Sequence, residues 1–427
     1  MIQRILPHRG RAVLVCALLF FFLIGLTAAQ EQTASVPQTL TLDEAMQLLL
    51  KQSPILLRDR QNVAVATANV TQAGLRPNPS FELNSESYPL FEQGPGPFFN
   101  NQELILRAGQ TIETAGKRGK RVQVARQELG VSESEVQNTI RQLKVELKRR
   151  YYTVVLAKAQ RELAQEILKQ FDEIIRLNEA RFKQGEISGL EMNRVRAERL
   201  RFFTDQLDAD LQLKNAKTAL LELLGVSDLS TPFDVAETLG IRPLQLSPQD
   251  LQAQALQARP DLLAERQRLE RNRQDLRLQK AEATPNVTPF FGYKRDFGAN
   301  AAAFGLSIPL PLFNRNQGGI GRAAALITQQ QYELSRVLLA VRRDVQEAYQ
   351  SLQTQAQKVR PMEQEYVPAA RSARDIAQQS YRLGELDLIG LLDAERVYRE
   401  TVRAYNVALY DYKAAVFQLE AAVGKEF

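Results

Sequence analysis

Between Pro97 and Pro232 the chain holds no proline, and that absence constrains the fold more than any motif does. Within the interval, Lys117 to Lys183 contains only Gly119 and Gly130 as glycines, both near its start. Apolar residues return at heptad spacing, first as Val122, Leu129, Val136 and Leu143, then as Leu168, Ile175 and Phe182. The pattern predicts one helix of roughly 100 Å. Such a rod packs lengthwise against other rods instead of wrapping a globular core. The turn Gln184-Gly185-Glu186-Ile187-Ser188 ends it, and a second helix is expected over Gly189–Leu224. The same design returns later as Ile320–Leu383, a turn at Gly384–Asp387, and Leu388–Val423.

The chain is a duplication. Residues 181–225 align without a gap on 380–424, matching Gly185 with Gly384, Glu186 with Glu385, Lys214 with Lys413 and Gly225 with Gly424. Ser53-Pro54-Ile55-Leu56-Leu57 pairs with Arg259-Pro260-Asp261-Leu262-Leu263, and Pro77-Asn78 with Pro285-Asn286. One long unit used twice is the simplest account; the period is far too long for a solenoid. The expected layout is a first repeat over 30–224, a connector over 225–247 rich in Pro, Gly and short polar residues, and a second repeat over 248–427.

Each repeat opens with two short helices and then changes period. Leu104, Leu106 and Ile112 alternate with Glu103, Arg107 and Glu113; Phe304, Leu306 and Ile308 alternate with Ala303, Gly305 and Ser307. These are strands with one apolar face. Strands are expected at about 80–88, 103–113, 286–297 and 302–310, with long hairpins over 117–224 and 320–423. Pro89–Asn100 and Gly298–Asn300 read as the loops between strands. Four strands do not close a barrel, for which about eight are needed. Left open, they expose edges and an apolar face, so either several copies close a barrel or the sheet packs on helices as a small soluble layer. In a barrel, Leu104, Leu106, Ile112, Phe304, Leu306 and Ile308 face lipid, while Glu103, Arg107 and Glu113 face a wet lumen.

Residues 1–29 read as a secretory signal peptide: Arg4, Arg9 and Arg11 precede the apolar run Ala12–Leu26, and Thr27-Ala28-Ala29 suits a signal peptidase. Val15 before Cys16, and the early place of that cysteine, argue against a lipoprotein signal. Cys16 and His8 are the chain's single cysteine and histidine, so the exported chain would have neither. It cannot use disulfides, and it lacks the commonest general base, thiol nucleophile and soft metal ligand. No enzyme activity, cofactor or metal site is expected. The three signal arginines supply half of the formal charge of +6. The basic stretch Arg141–Tyr152 is better read as an exported coiled-coil face, so no nucleic-acid partner is expected. Pro361 and Pro368 should kink the second long rod.

The order helix–strand–strand–long helix–turn–helix, given twice after a signal peptide, resembles the TolC-type outer-membrane efflux family across essentially the whole exported chain. The residues that carry the resemblance are Thr41-Leu42-Asp43-Glu44-Ala45, the turns Arg181–Ser188 and Tyr381–Asp387, and Leu220-Leu221-Glu222-Leu223-Leu224-Gly225. Glu113–Arg121 and Pro309–Gly318 resemble the branch paired with cobalt–zinc–cadmium efflux pumps. The resemblance implies a mostly α chain with a small β part, assembled as a homotrimer. A 12-stranded barrel would sit in outer-membrane lipid on a periplasmic α-helical tunnel, as the exit duct of a tripartite efflux system. The partners implied are a periplasmic adaptor and an inner-membrane pump. The alternative is a periplasmic adaptor or coiled-coil scaffold without a pore.

By that resemblance Phe182, Gly185, Glu186, Ser188, Tyr381, Gly384, Glu385 and Asp387 lie at the tip that meets the adaptor, and Tyr381 and Asp393 line its aperture. Three Asp393 carboxylates at a constriction would favour cations; the alternative is a solvated helix charge. Leu386 and Gly390 depart from the arginine and second aspartate of relatives with a salt-bridge lock, so the closing device here is weaker or apolar. Lys117, Arg118, Lys120 and Arg121, with Arg315 and Arg322, follow strands directly, which suits lipid phosphates at the membrane interface. Solvated or intersubunit helix starts are the alternative.

Overall fold

The computed structural model describes residues 36–87, 103–242, 244, 247–296 and 299–427. The segment expected to be a signal peptide, the loop expected at 89–100, and the expected strand ends Tyr88 and Phe297 with Gly298 lie outside the described residues. Every helix and strand named below belongs to one compact unit, Pro37–Phe427.

The chain runs β1 (Thr39–Leu40), α1 (Leu42–Gln52), α2 (Pro54–Ala73), β2 (Ser80–Glu86), β3 (Glu103–Gly109), α3 (Lys117–Gln184) and α4 (Gly189–Leu224). It continues as β4 (Asp234–Val235), α5 (Pro248–Ala258), α6 (Pro260–Glu282), β5 (Thr288–Asp296), β6 (Ala299–Ser307) and α7 (Gln317–Pro361). A π-helical turn (Met362–Tyr366), α8 (Val367–Leu383) and α9 (Leu388–Val423) complete it. None of the described helices is long and apolar enough to cross a membrane.

Local chemistry sets these boundaries. Thr41 and Glu44 form a reciprocal capping box at the start of α1. Pro54, Pro248 and Pro260 each stand in a first turn, where a missing amide costs nothing. Pro368 lacks the amide that would continue the ladder, and the strain is absorbed in the π-turn just before it. β6 begins earlier than alternation alone suggests, where Ala299, Asn300 and Ala301 pair with Asp296, Arg295 and Lys294, and it ends earlier because Pro309 and Pro311 cannot donate to a ladder; Ile308 and Leu310 lie beyond its end. Ile112 likewise lies past β3, in an isolated bridge to Val287. Within the connector, Asp234–Val235 form a short strand that its composition does not suggest. β1 and β4 pair in parallel, and the hydroxyl of buried Tyr151 donates to Leu40 O at 2.7 Å.

The other four strands make one antiparallel sheet in the order β2-β3-β5-β6. Its register aligns Phe81, Ala108, Phe291 and Phe304 across one face, with Leu83, Leu106 and Tyr293 in the next row. Glu103, Arg107 and Lys294 fall on the opposite face, where Lys294 pairs with Glu103. Both outer edges, β2 and β6, are unpaired among the described strands.

The long helices bury two apolar clusters. One joins α5, α7 and α9 through Leu251, Val341, Val345, Leu409 and Leu419. The other joins α3, α4, α8 and α9 through Phe171, Ile174, Val195, Leu391 and Tyr398. The basic stretch of α3 is turned inward: Lys148 pairs with Glu420 at 2.6 Å, and Arg141 donates to Ala421 O at 2.6 Å.

Gly225 closes α4 at φ 75°, and a Cβ there would stand 2.7 Å from Gln52 O and 2.9 Å from Pro54 Cδ. Gly424 closes α9 at φ 79° with its nearest neighbours at 3.3 Å. Both would carry the left-handed penalty of about 1–2 kcal/mol, but only Gly225 adds a backbone collision. Gly225→Ala is therefore expected to lower the thermal midpoint clearly more than Gly424→Ala. Equal losses by circular dichroism would refute the close approach of the α1–α2 corner.

Candidate functional site

The hairpin ends converge on one constellation. Gly185 at φ 76° and Gly384 at φ 80° reverse the two rods, a conformation only glycine adopts cheaply. The amides of Gly185 and Glu186 donate to Phe182 O and Arg181 O at 3.1 and 2.9 Å; those of Gly384 and Glu385 donate to Tyr381 O and Ser380 O at 3.1 and 2.9 Å. These bonds satisfy the last carbonyls of each helix. The next helices are capped in kind: Ser188 Oγ accepts from the Glu191 amide and Asp387 Oδ1 from the Gly390 amide. Leu386 lies over Gly390, where a Cβ would meet its Cδ1 at 2.6 Å.

Phe182, Gly185, Glu186, Ser188, Gly384, Glu385 and Asp387 are exposed at these turns. Tyr381 is not: it is 3 % exposed, so its side chain belongs to the packing between rods and does not line a passage. Its hydroxyl donates to Asn178 Oδ1 at 2.7 Å, and Asn178 Nδ2 donates in turn to Ile174 O at 2.8 Å. Burial pushes the phenol above its ordinary value of 10.0, so it remains a donor at neutral pH. Arg181 Nη2 donates to the carbonyls of Tyr381 and Arg382 at 3.3 and 3.0 Å, with its guanidinium 5.5 Å from the Tyr381 ring centroid. The last turns of α3 thus grip the end of α8. Asp393 is exposed on α9 and bonded to Arg396 at 2.6 Å.

Deeper along the same rods lies a second polar group. Glu395 is buried, and its Oε1 accepts from Gln378 Nε2 at 2.5 Å. Its Oε2 has no hydrogen-bond partner among the described residues. Arg374 is also buried, stacked 3.8 Å from the Tyr398 ring centroid and bonded to Asp375 at 2.7 Å. Burial pushes the Glu395 carboxyl up, and the Gln378 bond and nearby Arg374 offset this only in part. Asn178, Arg181, Arg374, Gln378 and Glu395 were not anticipated from sequence, although Asn178 and Glu395 occupy apolar-stripe positions (Phe171, Ile175, Asn178, Phe182; Leu388, Leu391, Glu395, Tyr398).

The basic residues after the strands are mostly engaged. Lys117 is 3 % exposed and its Nζ donates to Thr284 O and Asn286 Oδ1, each at 2.6 Å. It ties the two repeats together and cannot meet lipid. Arg121 forks onto Glu113 at 2.6 and 3.1 Å, and the Glu113 side chain is largely covered in the pair. Arg118 Nε caps α2 through Gly74 O at 2.6 Å, and Lys120 donates to Ala115 O. Arg315 and Arg322 are exposed.

Two tandem rod-and-strand repeats, with one four-stranded sheet and two glycine-closed helical reversals, make up the fold. Residues 45–226 and 251–425 match the family model described as outer membrane efflux protein, and the chain belongs to that family. It is 24% identical over 380 residues, 88% of each chain, to the cobalt-zinc-cadmium resistance protein CzcC of Cupriavidus metallidurans. It is 25% identical over 299 residues, 69% of this chain and 66% of the relative, to the nickel-cobalt-cadmium resistance protein NccC of Alcaligenes xylosoxydans xylosoxydans. The fold superposes on that of CusC with a TM-score of 0.74 at 19% identity, covering 90% of this chain and 92% of CusC. The family is one of TolC-type conduits, not enzymes.

Proposed function

We propose that three copies of this chain form the outer-membrane exit duct of a tripartite efflux system, fed by an inner-membrane pump through a periplasmic adaptor. The observation that carries this reading is the sheet. It is apolar on one face, charged on the other, and open at both edges among the described strands. Because β2 and β6 run antiparallel, an edge of one copy can continue the ladder of the next; three copies of four strands make a closed barrel of twelve. Exposed apolar residues on the rods, such as Leu200, Leu207 and Leu211 on α4 and Leu339, Ile376 and Leu383 on α7–α8, supply matching seams. The exposed tip residues Phe182, Gly185, Glu186, Ser188, Gly384, Glu385 and Asp387 would meet the adaptor. Leader cleavage after residue 29 would deliver the chain to the periplasm and outer membrane.

Heavy-metal cations are the cargo this reading favours, on the names of the two metal-resistance relatives. No group of three His, Cys, Asp or Glu that could hold a metal occurs among the described residues. Cations would pass down the lumen past a ring of Asp393. In planar bilayers the purified protein should insert as a trimer and conduct, and Asp393→Ala should weaken cation preference. A monomer stable in buffer without detergent would instead leave the adaptor or scaffold reading standing. Raised cobalt, zinc or cadmium tolerance on expression with a cognate pump would test the cargo separately.

A further inference from the structure

The two strand pairs hand over to their long helices differently. After β3 the chain is stitched to the second repeat by the Ile112–Val287 bridge and by Thr114 Oγ1, which donates to Pro285 O at 2.6 Å. After β6, the connection 308–316 is two residues longer than its counterpart 110–116. The hydrogen bonds described for its crest are local. The Leu312 amide donates to Leu310 O at 2.9 Å, Arg315 Nε to Pro311 O at 3.2 Å, and Gln317 Nε2 to Phe313 O at 3.1 Å. Only its base is tied down, where Asn316 Nδ2 donates to Gln279 O at 2.8 Å.

The crest is apolar and uncovered: Leu310, Leu312 and Phe313 are 75%, 65% and 90% exposed. It prolongs the apolar row of Phe304, Leu306 and Ile308 beyond the end of β6. Arg315 and Arg322 stand just past it, and among the described residues no carboxylate pairs with either. Aromatic and leucine side chains followed at once by guanidinium groups without a carboxylate fit a bilayer edge, where acyl chains take the ring and phosphates take the charge.

We propose that residues 310–315 form an interfacial anchor, with Leu312 and Phe313 among the phospholipids at the periplasmic edge of the bilayer and Arg315 at a lipid phosphate. The inference rests on the barrel reading above. Only the second repeat carries the longer, free crest, so each protomer contributes one anchor.

The chain contains no tryptophan, so single-tryptophan variants report one position each. Phe304→Trp on β6 and Phe313→Trp on the crest would be reconstituted in phosphatidylethanolamine–phosphatidylglycerol vesicles with nitroxide lipids labelled shallow or deep on the acyl chain. The expected result is quenching of Phe304→Trp mainly by the deep label and of Phe313→Trp mainly by the shallow one. Arg315→Glu in the second background should shift emission to the red and reduce the shallow quenching. If Phe313→Trp is untouched by lipid labels and shielded from acrylamide, a neighbouring protomer covers the crest. If acrylamide alone quenches it, the crest is in water. Either outcome overturns the anchor while a lipid-quenched Phe304→Trp leaves the barrel standing; lipid quenching of neither overturns both.

Discussion

Asn178→Leu is expected to raise the open probability of the reconstituted channel, and adding Tyr381→Phe is expected to bring it most of the way back. Asn178 is 0% exposed and accepts from the Tyr381 hydroxyl at 2.7 Å. Leucine has the branched shape of asparagine but no acceptor, so the single variant strands a buried phenol. That costs about 1–3 kcal/mol, equivalent to roughly 5–150-fold in a two-state equilibrium for each protomer. Removing the second partner as well leaves an apolar contact of similar shape, which is close to neutral. A contact that merely packs would give additive single and double variants; the latch gives strong coupling. Single-channel recordings of the four proteins in planar bilayers decide between them. Arg181→Met should act in the same direction as Asn178→Leu, because it releases the carbonyls of Tyr381 and Arg382.

This latch shows where a sequence is readable and where it is not. The rods announce themselves because Val122 through Phe182 keep one period, and the reversals do so because Gly185 and Gly384 fall where that period breaks. Periodicity hides Asn178 and Glu395 for the same reason. A polar residue in an apolar stripe looks like an interruption, whereas in the fold it faces a partner on another rod and is buried with it. Lys117 misleads in a related way. Its position after a strand is visible in sequence, but its burial depends on Thr284 and Asn286 arriving from the other repeat. The pairing of Thr39–Leu40 with Asp234–Val235 is too short to leave any period at all. Resemblance assigns Tyr381 to the tip, yet its role turns on which way the ring points, which only packing decides.

Opposite effects are expected from the two buried charges deeper in the rods. Arg374→Met should destabilise the protein, since it removes the guanidinium stacked on the Tyr398 ring and the positive charge that partly offsets the burial of Glu395. Glu395→Gln should stabilise it at neutral pH. Around Glu395 stand Arg374, Asp375 and Gln378 from α8, Glu166 and Gln170 from α3, and Tyr398 on its own helix. Of these, Gln378 hydrogen-bonds it directly, while Arg374 pulls its carboxyl down and Asp375 and Glu166 push it up. With burial the larger influence, the folded carboxyl binds a proton more readily than its ordinary value of 4.5 allows. The folded state then holds more protons than the unfolded state above that value. Stability contributed by this group is complete below pH 4.5 and falls as pH rises through the folded value. Glu395→Gln imitates the protonated form at every pH, so its advantage over the parent should vanish at the acid end and grow toward neutrality. Asp261, held low by Arg259 despite its burial, has the reverse dependence, but it is common to both proteins and cancels in their difference. Thermal midpoints of parent and Glu395→Gln measured by circular dichroism across this range test the sign directly. A constant gap, or one that widens on acidification, would show that Glu395 is ionised comfortably in the fold and that the rods are not weakened there by a buried charge.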